Sequence, residues 1–206
     1  MKPYDSMLKY ATRTGALVLA MALWAGCSKD DPKKEDTPEL ITKATLTFTP
    51  TGGGTAVVVS ATDPDGEGVQ DIAVDGPIDL EAGTQYVLTI DLINTLVTVG
   101  QPGYSVTEEV EDEGQEHMFF FGWTGAVFQT PTGDGNVDNR DDEVDYIDLD
   151  AGGLPIGLLT SWTSAGTTGS GTFRVILKHQ PETKSATSSS SVGETDFDLT
   201  FTINVQ

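Results

Sequence analysis

The sequence has little cysteine and little basic charge, and these shortages exclude an internal disulfide and argue against a nucleic-acid partner. Its one cysteine, Cys27, cannot form an intramolecular disulfide, so a folded domain depends on its hydrophobic core or on a bound metal. No lysine or arginine occurs between Ala44 and Asn139, and the formal net charge is -21 at pH 7. Such a surface repels nucleic acid and attracts cations or basic partners, although acidity also simply keeps a protein soluble. We therefore expect no nucleic-acid partner.

The sequence also lacks the signature motifs of common enzymes. It contains no G-x-S-x-G elbow, no H-E-x-x-H zinc motif and no phosphate-binding loop. With only two histidines, a Ser-His-Asp triad would depend on one of two positions, and no local motif supports it. We therefore expect a protein that is not an enzyme.

The first 26 residues have the features of a removable export signal. A basic leader precedes an apolar run over residues 15–26, and about 20 apolar residues are needed to span a bilayer. The run ends in Leu23-Trp24-Ala25-Gly26-Cys27, which resembles a bacterial lipobox. That resemblance implies cleavage before Cys27 and acylation of its thiol, which anchors the protein to a membrane. An uncleaved anchor with an incidental cysteine is the alternative.

The residues after the cleavage point predict a tether followed by one domain. Residues 27–39 are polar and contain proline, so we expect a flexible tether there and a single domain over 40–206. The start Cys27-Ser28-Lys29-Asp30-Asp31 resembles the export signal of Bacteroidota lipoproteins. This resemblance implies a lipid anchor in the outer membrane and exposure at the cell surface. An anchor facing the periplasm is the competing location.

Strand-like patterns dominate the domain. Alternating or continuous apolar residues predict short strands at 45–49, 56–59, 78–80, 86–92, 117–121, 144–149, 156–162, 172–178 and 197–205. No segment has helical periodicity over three turns, so we expect an all-β fold, an antiparallel β-sandwich of the immunoglobulin-like type. Long loops are predicted at 102–116, 129–143 and 181–196, and the serine-rich stretch 188–191 predicts mobility in the last.

One loop has the spacing of a calcium site. Counted from the first aspartate, oxygen-bearing side chains fall at positions 1, 3, 5, 9 and 12, the spacing used in calcium loops. These candidate ligands are Asp134, Asn136, Asp138, Asp142 and Asp145. The loop resembles those of dockerins more than those of EF-hands, because its twelfth residue is Asp rather than Glu. An acidic, solvated surface loop is the alternative.

The two histidines are candidates for a transition-metal site. His117 follows a glutamate-rich run and opens one predicted strand, and His179 ends another. If these strands are neighbours, two imidazoles and nearby carboxylates make a site for zinc or copper. If they are not, both histidines are ordinary polar residues at strand ends.

Several segments resemble a group of small acidic Bacteroidota surface lipoproteins. They are residues 41–50, Asp63-Pro64-Asp65-Gly66, the glutamate run into residues 117–121, residues 172–181 and Gly193-Glu194-Thr195-Asp196. Members often accompany TonB-dependent receptors, so the resemblance implies such a receptor as partner. We expect a non-enzymatic envelope lipoprotein, a surface binding module accessory to outer-membrane uptake of a nutrient or metal. The alternative is a calcium-stabilised adhesion or structural domain.

Overall fold

The computed structural model describes residues 39–66, 72–138, 140 and 143–206. The signal peptide, Cys27, nearly all of the predicted tether and Asp142 therefore lie outside the described residues. Within the described ranges, no helix has both the length and the apolar character that crossing a membrane requires.

Strands are the main regular secondary structure of the described chain, which also has one short helix. The strands are β1 (Lys43–Pro50), β2 (Val57–Thr62), β3 (Ala73–Val74), β4 (Ile78–Leu80), β5 (Gln85–Ile93), β6 (His117–Trp123), β7 (Phe128–Thr130), β8 (Asp145–Tyr146), β9 (Leu159–Ser164), β10 (Gly169–His179) and β11 (Glu194–Val205). The helix, α1, spans Val106–Asp112 between β5 and β6.

The strands form two sheets. One has the order β3-β2-β1-β5-β9-β7, with β8 also paired to β9, and the other has the order β4-β11-β10-β6. All paired strands are antiparallel except β4 and β11, which run parallel. The predicted all-β sandwich is confirmed, with one parallel pair, whereas its immunoglobulin-like character stays a prediction.

Aromatic side chains from both sheets meet in the core. Phe48 of β1 lies 5.9 Å from Phe173 of β10 between ring centroids, and Trp162 of β9 stands edge-on to Phe173 at 5.1 Å. Period-two alternation on β5 and β11 points their apolar residues to this core, as the sequence predicts. The large aromatic area buried between the sheets holds them together without a disulfide.

Helix α1 lies inside the first of the predicted long loops. Val106 and Val110 are four residues apart, so both fall on the buried side of the helix, and the Ser105 side chain caps its first turn by accepting from the Glu108 backbone N–H. Glu108 and Glu109 stand in the first turn, where the helix dipole favours acidic groups. The helix carries the glutamate run to the start of β6.

The serine-rich loop before β11 is tied to the domain rather than loose. Lys184 donates to Asp150 at 2.9 Å and to the Gly114 carbonyl at 2.6 Å, and its side chain is buried. Ser190 donates to the Val137 carbonyl, and Ser188 is buried. Sequence composition predicted a mobile loop because it does not record these long-range partners.

Candidate metal centre

Strand pairing brings the two histidines together. β6 pairs with β10 in a register that places His117 directly opposite His179, so both side chains lie on the same face of the sheet. The imidazole rings stack at 4.6 Å between centroids with an interplanar angle of 9°. His117 is fully buried and His179 is nearly so. The neighbouring strands that the metal prediction required are therefore present.

The end of helix α1 adds carboxylates to this pair. Glu113 is the C-cap residue, and its backbone carbonyl lies 3.3 Å from Nδ1 of His117. Glu116, in the turn that leads into β6, places Oε2 3.3 Å from Nε2 of His179. Because Gln180 donates its backbone N–H to the Glu116 carbonyl at 2.6 Å, this turn is held against the end of β10.

Glu113, His117 and His179 form a compact group of metal-ligand types. Each offers one ligand atom, and these atoms all lie within 4.8 Å of one another. Ligand atoms around a tetrahedral zinc ion stand about 3.3 Å apart, as its bond lengths require, so modest side-chain rotations would close the group around an ion. Among the described residues, no other three histidine, cysteine or acidic side chains come this close together.

A β-bulge places a further carboxylate beside the histidines. Leu177 pairs with Phe197 and Lys178 with Thr195, so Asp196 has no opposite residue on β10. The bulge leaves Asp196 buried, with Oδ2 3.8 Å from Nε2 of His117. Among the described residues, the Glu39 backbone lies near this carboxylate, but no other donor forms a hydrogen bond to either Asp196 oxygen.

The burial of Asp196 has an electrostatic consequence. Burial raises the pKa of its carboxyl group to about 6, and nearby His179, the Glu39 backbone and Lys178 oppose that rise only in part. Burial also lowers the pKa of Lys178, whose Nζ donates to Thr195 at 2.7 Å rather than to a carboxylate. The carboxylate form of Asp196 thus lacks sufficient positive charge around it.

Gly193 allows the loop before β11 to pass close to the histidine pair. Its φ is +75°, and an added Cβ would collide with the His179 carbonyl oxygen. Only glycine adopts this conformation at so close an approach without strain. The glycine therefore fixes how the chain enters the bulge that carries Asp196.

The predicted calcium loop has a different local role where the structure describes it. The Asp134 carbonyl accepts from the Trp123 backbone N–H, and the Asn136 backbone N–H donates to the Phe121 carbonyl, so this segment covers the edge of β6. Gly135 is required between them, because an added Cβ would collide with the Phe121 carbonyl oxygen.

The side chain of Asn136 is engaged with the protein. Its Oδ1 accepts from the Phe121 backbone N–H at 3.0 Å, and its Nδ2 donates to the Tyr146 hydroxyl at 2.8 Å. Asp134, Asp138 and Asp145 are exposed, and Asp142 lies outside the described residues. A calcium site formed by all five residues therefore stays a prediction.

Sequence reasoning identified the histidines but not every group around them. Glu113 and Glu116 belong to the glutamate run that the sequence already connects to His117, and this closeness along the chain was the available signal. Asp196 was not identified as part of the site, because a bulge near the start of a strand has no reliable sequence signature. Cys27, the candidate lipidation residue, lies outside the described residues.

Comparisons with known proteins add no family to this description. No protein-family model, curated protein or solved structure matches the chain.

Proposed function

We propose that this protein is an exported, non-enzymatic lipoprotein whose β-sandwich binds a divalent transition metal, zinc or copper, through Glu113, His117 and His179. The observation that carries the proposal is the stacked histidine pair with a glutamate ligand atom within 4.8 Å. On this proposal the protein assists metal uptake at the outer membrane, and a TonB-dependent receptor is the proposed partner.

The chemistry of the three side chains favours a transition metal over calcium. Zinc and copper accept imidazole nitrogen together with carboxylate oxygen, whereas calcium takes six to eight oxygen ligands. The two nitrogen donors contributed by His117 and His179 make the group a poor calcium site. They are also the natural ligands for an ion that must be selected from a medium rich in calcium and magnesium.

The surrounding charge supports the capture of cations. Glu116 and Asp196 add two carboxylates beside the imidazoles, in a chain whose formal net charge is -21. Clefts lined by one sign of charge raise the local concentration and the association rate of the opposite ion. A bound divalent ion would in turn reduce the repulsion among these acids.

Zinc should raise the melting temperature of the purified protein. At a free zinc concentration about 100 times the dissociation constant, binding to the native state alone stabilises it by about 2.7 kcal/mol. For a domain of this size that corresponds to a rise of about 5–10 °C, measured by differential scanning calorimetry with and without zinc.

Two variants and one control sharpen this experiment. His117→Ala and His179→Ala should each abolish the zinc-dependent rise, whereas Glu111→Gln, which removes one exposed charge from the same glutamate run, should leave it intact. An unchanged melting temperature with zinc and copper would refute the proposal. A rise with calcium that Asp134→Asn removes would instead support the calcium-stabilised domain.

A further inference from the structure

Each histidine of the candidate centre has a carboxylate at the same ring nitrogen. Nε2 of His179 lies 3.3 Å from Oε2 of Glu116, and Nε2 of His117 lies 3.8 Å from Oδ2 of Asp196. The two carboxylates come from different parts of the fold, one from the turn after α1 and the other from the bulge in β11. Both contacts involve Nε2, and this leaves Nδ1 as the second nitrogen of each ring.

The Nδ1 edge of His117 faces Glu113, the residue that supplies the third ligand atom. The Glu113 carbonyl oxygen lies 3.3 Å from Nδ1 and can only accept, so Nδ1 carries a hydrogen in this contact, and a metal bound at Nδ1 would have to replace that hydrogen. The Nε2 edge faces Asp196 instead. A histidine that binds a metal usually donates its other N–H to a carboxylate, which fixes the tautomer and the ring orientation.

We infer that Asp196 and Glu116 are positioning residues, which hold the imidazoles of His117 and His179 with Nε2 protonated so that both bind the metal through Nδ1. This inference rests on the proposed metal-binding function and assigns the residues around its ligands. Glu113 completes three protein ligands, which leaves a fourth position of a tetrahedral ion for water or for a group supplied by a partner.

Asp196 fits this role better than a purely structural one. Its side chain is fully buried and stands at a bulge, and apart from the nearby Glu39 backbone no donor among the described residues reaches its oxygens. A buried carboxylate is costly unless positive charge or hydrogen-bond donors surround it. A metal on Nδ1 makes the His117 Nε2–H a stronger donor, so metal binding strengthens the interaction between this N–H and the Asp196 carboxylate.

The test combines the affinity for cobalt(II), a spectroscopic substitute for zinc, with NMR of the zinc-loaded protein. Asp196→Asn and Glu116→Gln should each weaken metal binding by about 10–100-fold, while Glu111→Gln should not. Because the ligands themselves stay in place, the visible absorption spectrum of the saturated cobalt complex should keep its shape in both variants. Long-range proton–nitrogen correlations of isotope-labelled histidine should report coordination through Nδ1 in both rings.

The outcomes separate this inference from the function on which it rests. If the wild-type protein binds neither zinc nor cobalt, the proposed function fails. If it binds metal but NMR reports coordination through Nε2, or if both variants bind with unchanged affinity, only the positioning role is refuted. Glu116 is 45% exposed, so Glu116→Gln gives a well-folded second test of the inference should Asp196→Asn disturb the strand.

Discussion

Two buried aspartates, Asp150 and Asp196, have opposite surroundings. Asp150 Oδ1 accepts from the backbone N–H groups of Gly152 and Leu154, and its Oδ2 accepts from the Lys184 ammonium at 2.9 Å. Among the described residues, Asp196 has His117 at 3.8 Å as its salt-bridge partner and the Glu39 backbone nearby, with no other hydrogen-bond donor. The Asp150 carboxylate has its hydrogen-bond donors and its cation within the protein, whereas the Asp196 carboxylate is suited to an added cation.

The directions of the two pKa shifts express the same difference. Burial alone would raise the pKa of Asp150, but the hydrogen bonds from Lys184, Leu154 and Gly152 outweigh it and hold that pKa below 3.8. At Asp196 burial prevails and raises the pKa to about 6. The number of donors that reach a buried carboxylate, rather than burial itself, decides whether it serves structure or remains available to a ligand.

The largest expected effect comes from breaking the ion pair between Lys184 and Asp150. Lys184→Met should destabilise the protein by about 3–5 kcal/mol, because it leaves the buried Asp150 carboxylate without its cation. The double variant Lys184→Met with Asp150→Asn should recover much of this loss, since no unpaired charge then remains. Chemical denaturation of the three proteins measures both effects, and equal stability of the single and double variants would contradict the argument.

The pH dependence of Asp150→Asn should reveal the charge of this carboxylate. Because the folded-state pKa lies below 3.8, the ionised group contributes stability that is fully present above that pH and is lost as the pH falls through the folded value. At pH 7 we expect the variant to be about 2 kcal/mol less stable than the wild type. The stabilities of the wild type and the variant, measured by denaturation from pH 7 downward, should therefore converge below pH 3.8. A stability difference that stays constant with pH would exclude the carboxylate charge as its cause.

The smallest effect, and one of opposite sign, is expected for Asp196→Asn in metal-free protein. The raised folded-state pKa means that the wild type loses stability as the pH rises through about 6, and the amide avoids this loss. Near neutral pH we expect the variant to be more stable by about 1–2 kcal/mol, and below pH 3.8 the advantage should disappear. Calorimetry in the presence of a chelator measures this difference in stability. A destabilised variant would show that Asp196, like Asp150, is a structural carboxylate.

Much of the fold could be predicted because strand signals are local. The alternation of β5 and β11 identified the residues that face the core, and the turn residues between strands separated them. Prediction was weaker where long-range contacts decide the structure. Residues 144–149 read as a strand, yet the strand itself spans only Asp145–Tyr146, with one further hydrogen bond from the Ile147 N–H to the Leu159 carbonyl of β9. The serine-rich loop reads as mobile although Lys184 anchors it.

The sequence by itself determined the strand pattern, the acidic charge and which two side chains offer imidazole nitrogen. Only the tertiary structure decided that His117 lies opposite His179, that helix α1 delivers Glu113 to them and that a bulge turns Asp196 inward. The physical reason is that alternation and turn chemistry depend on residues close in the chain. Register and bulges depend instead on how strands distant in sequence pack, and a metal site is a property of that packing.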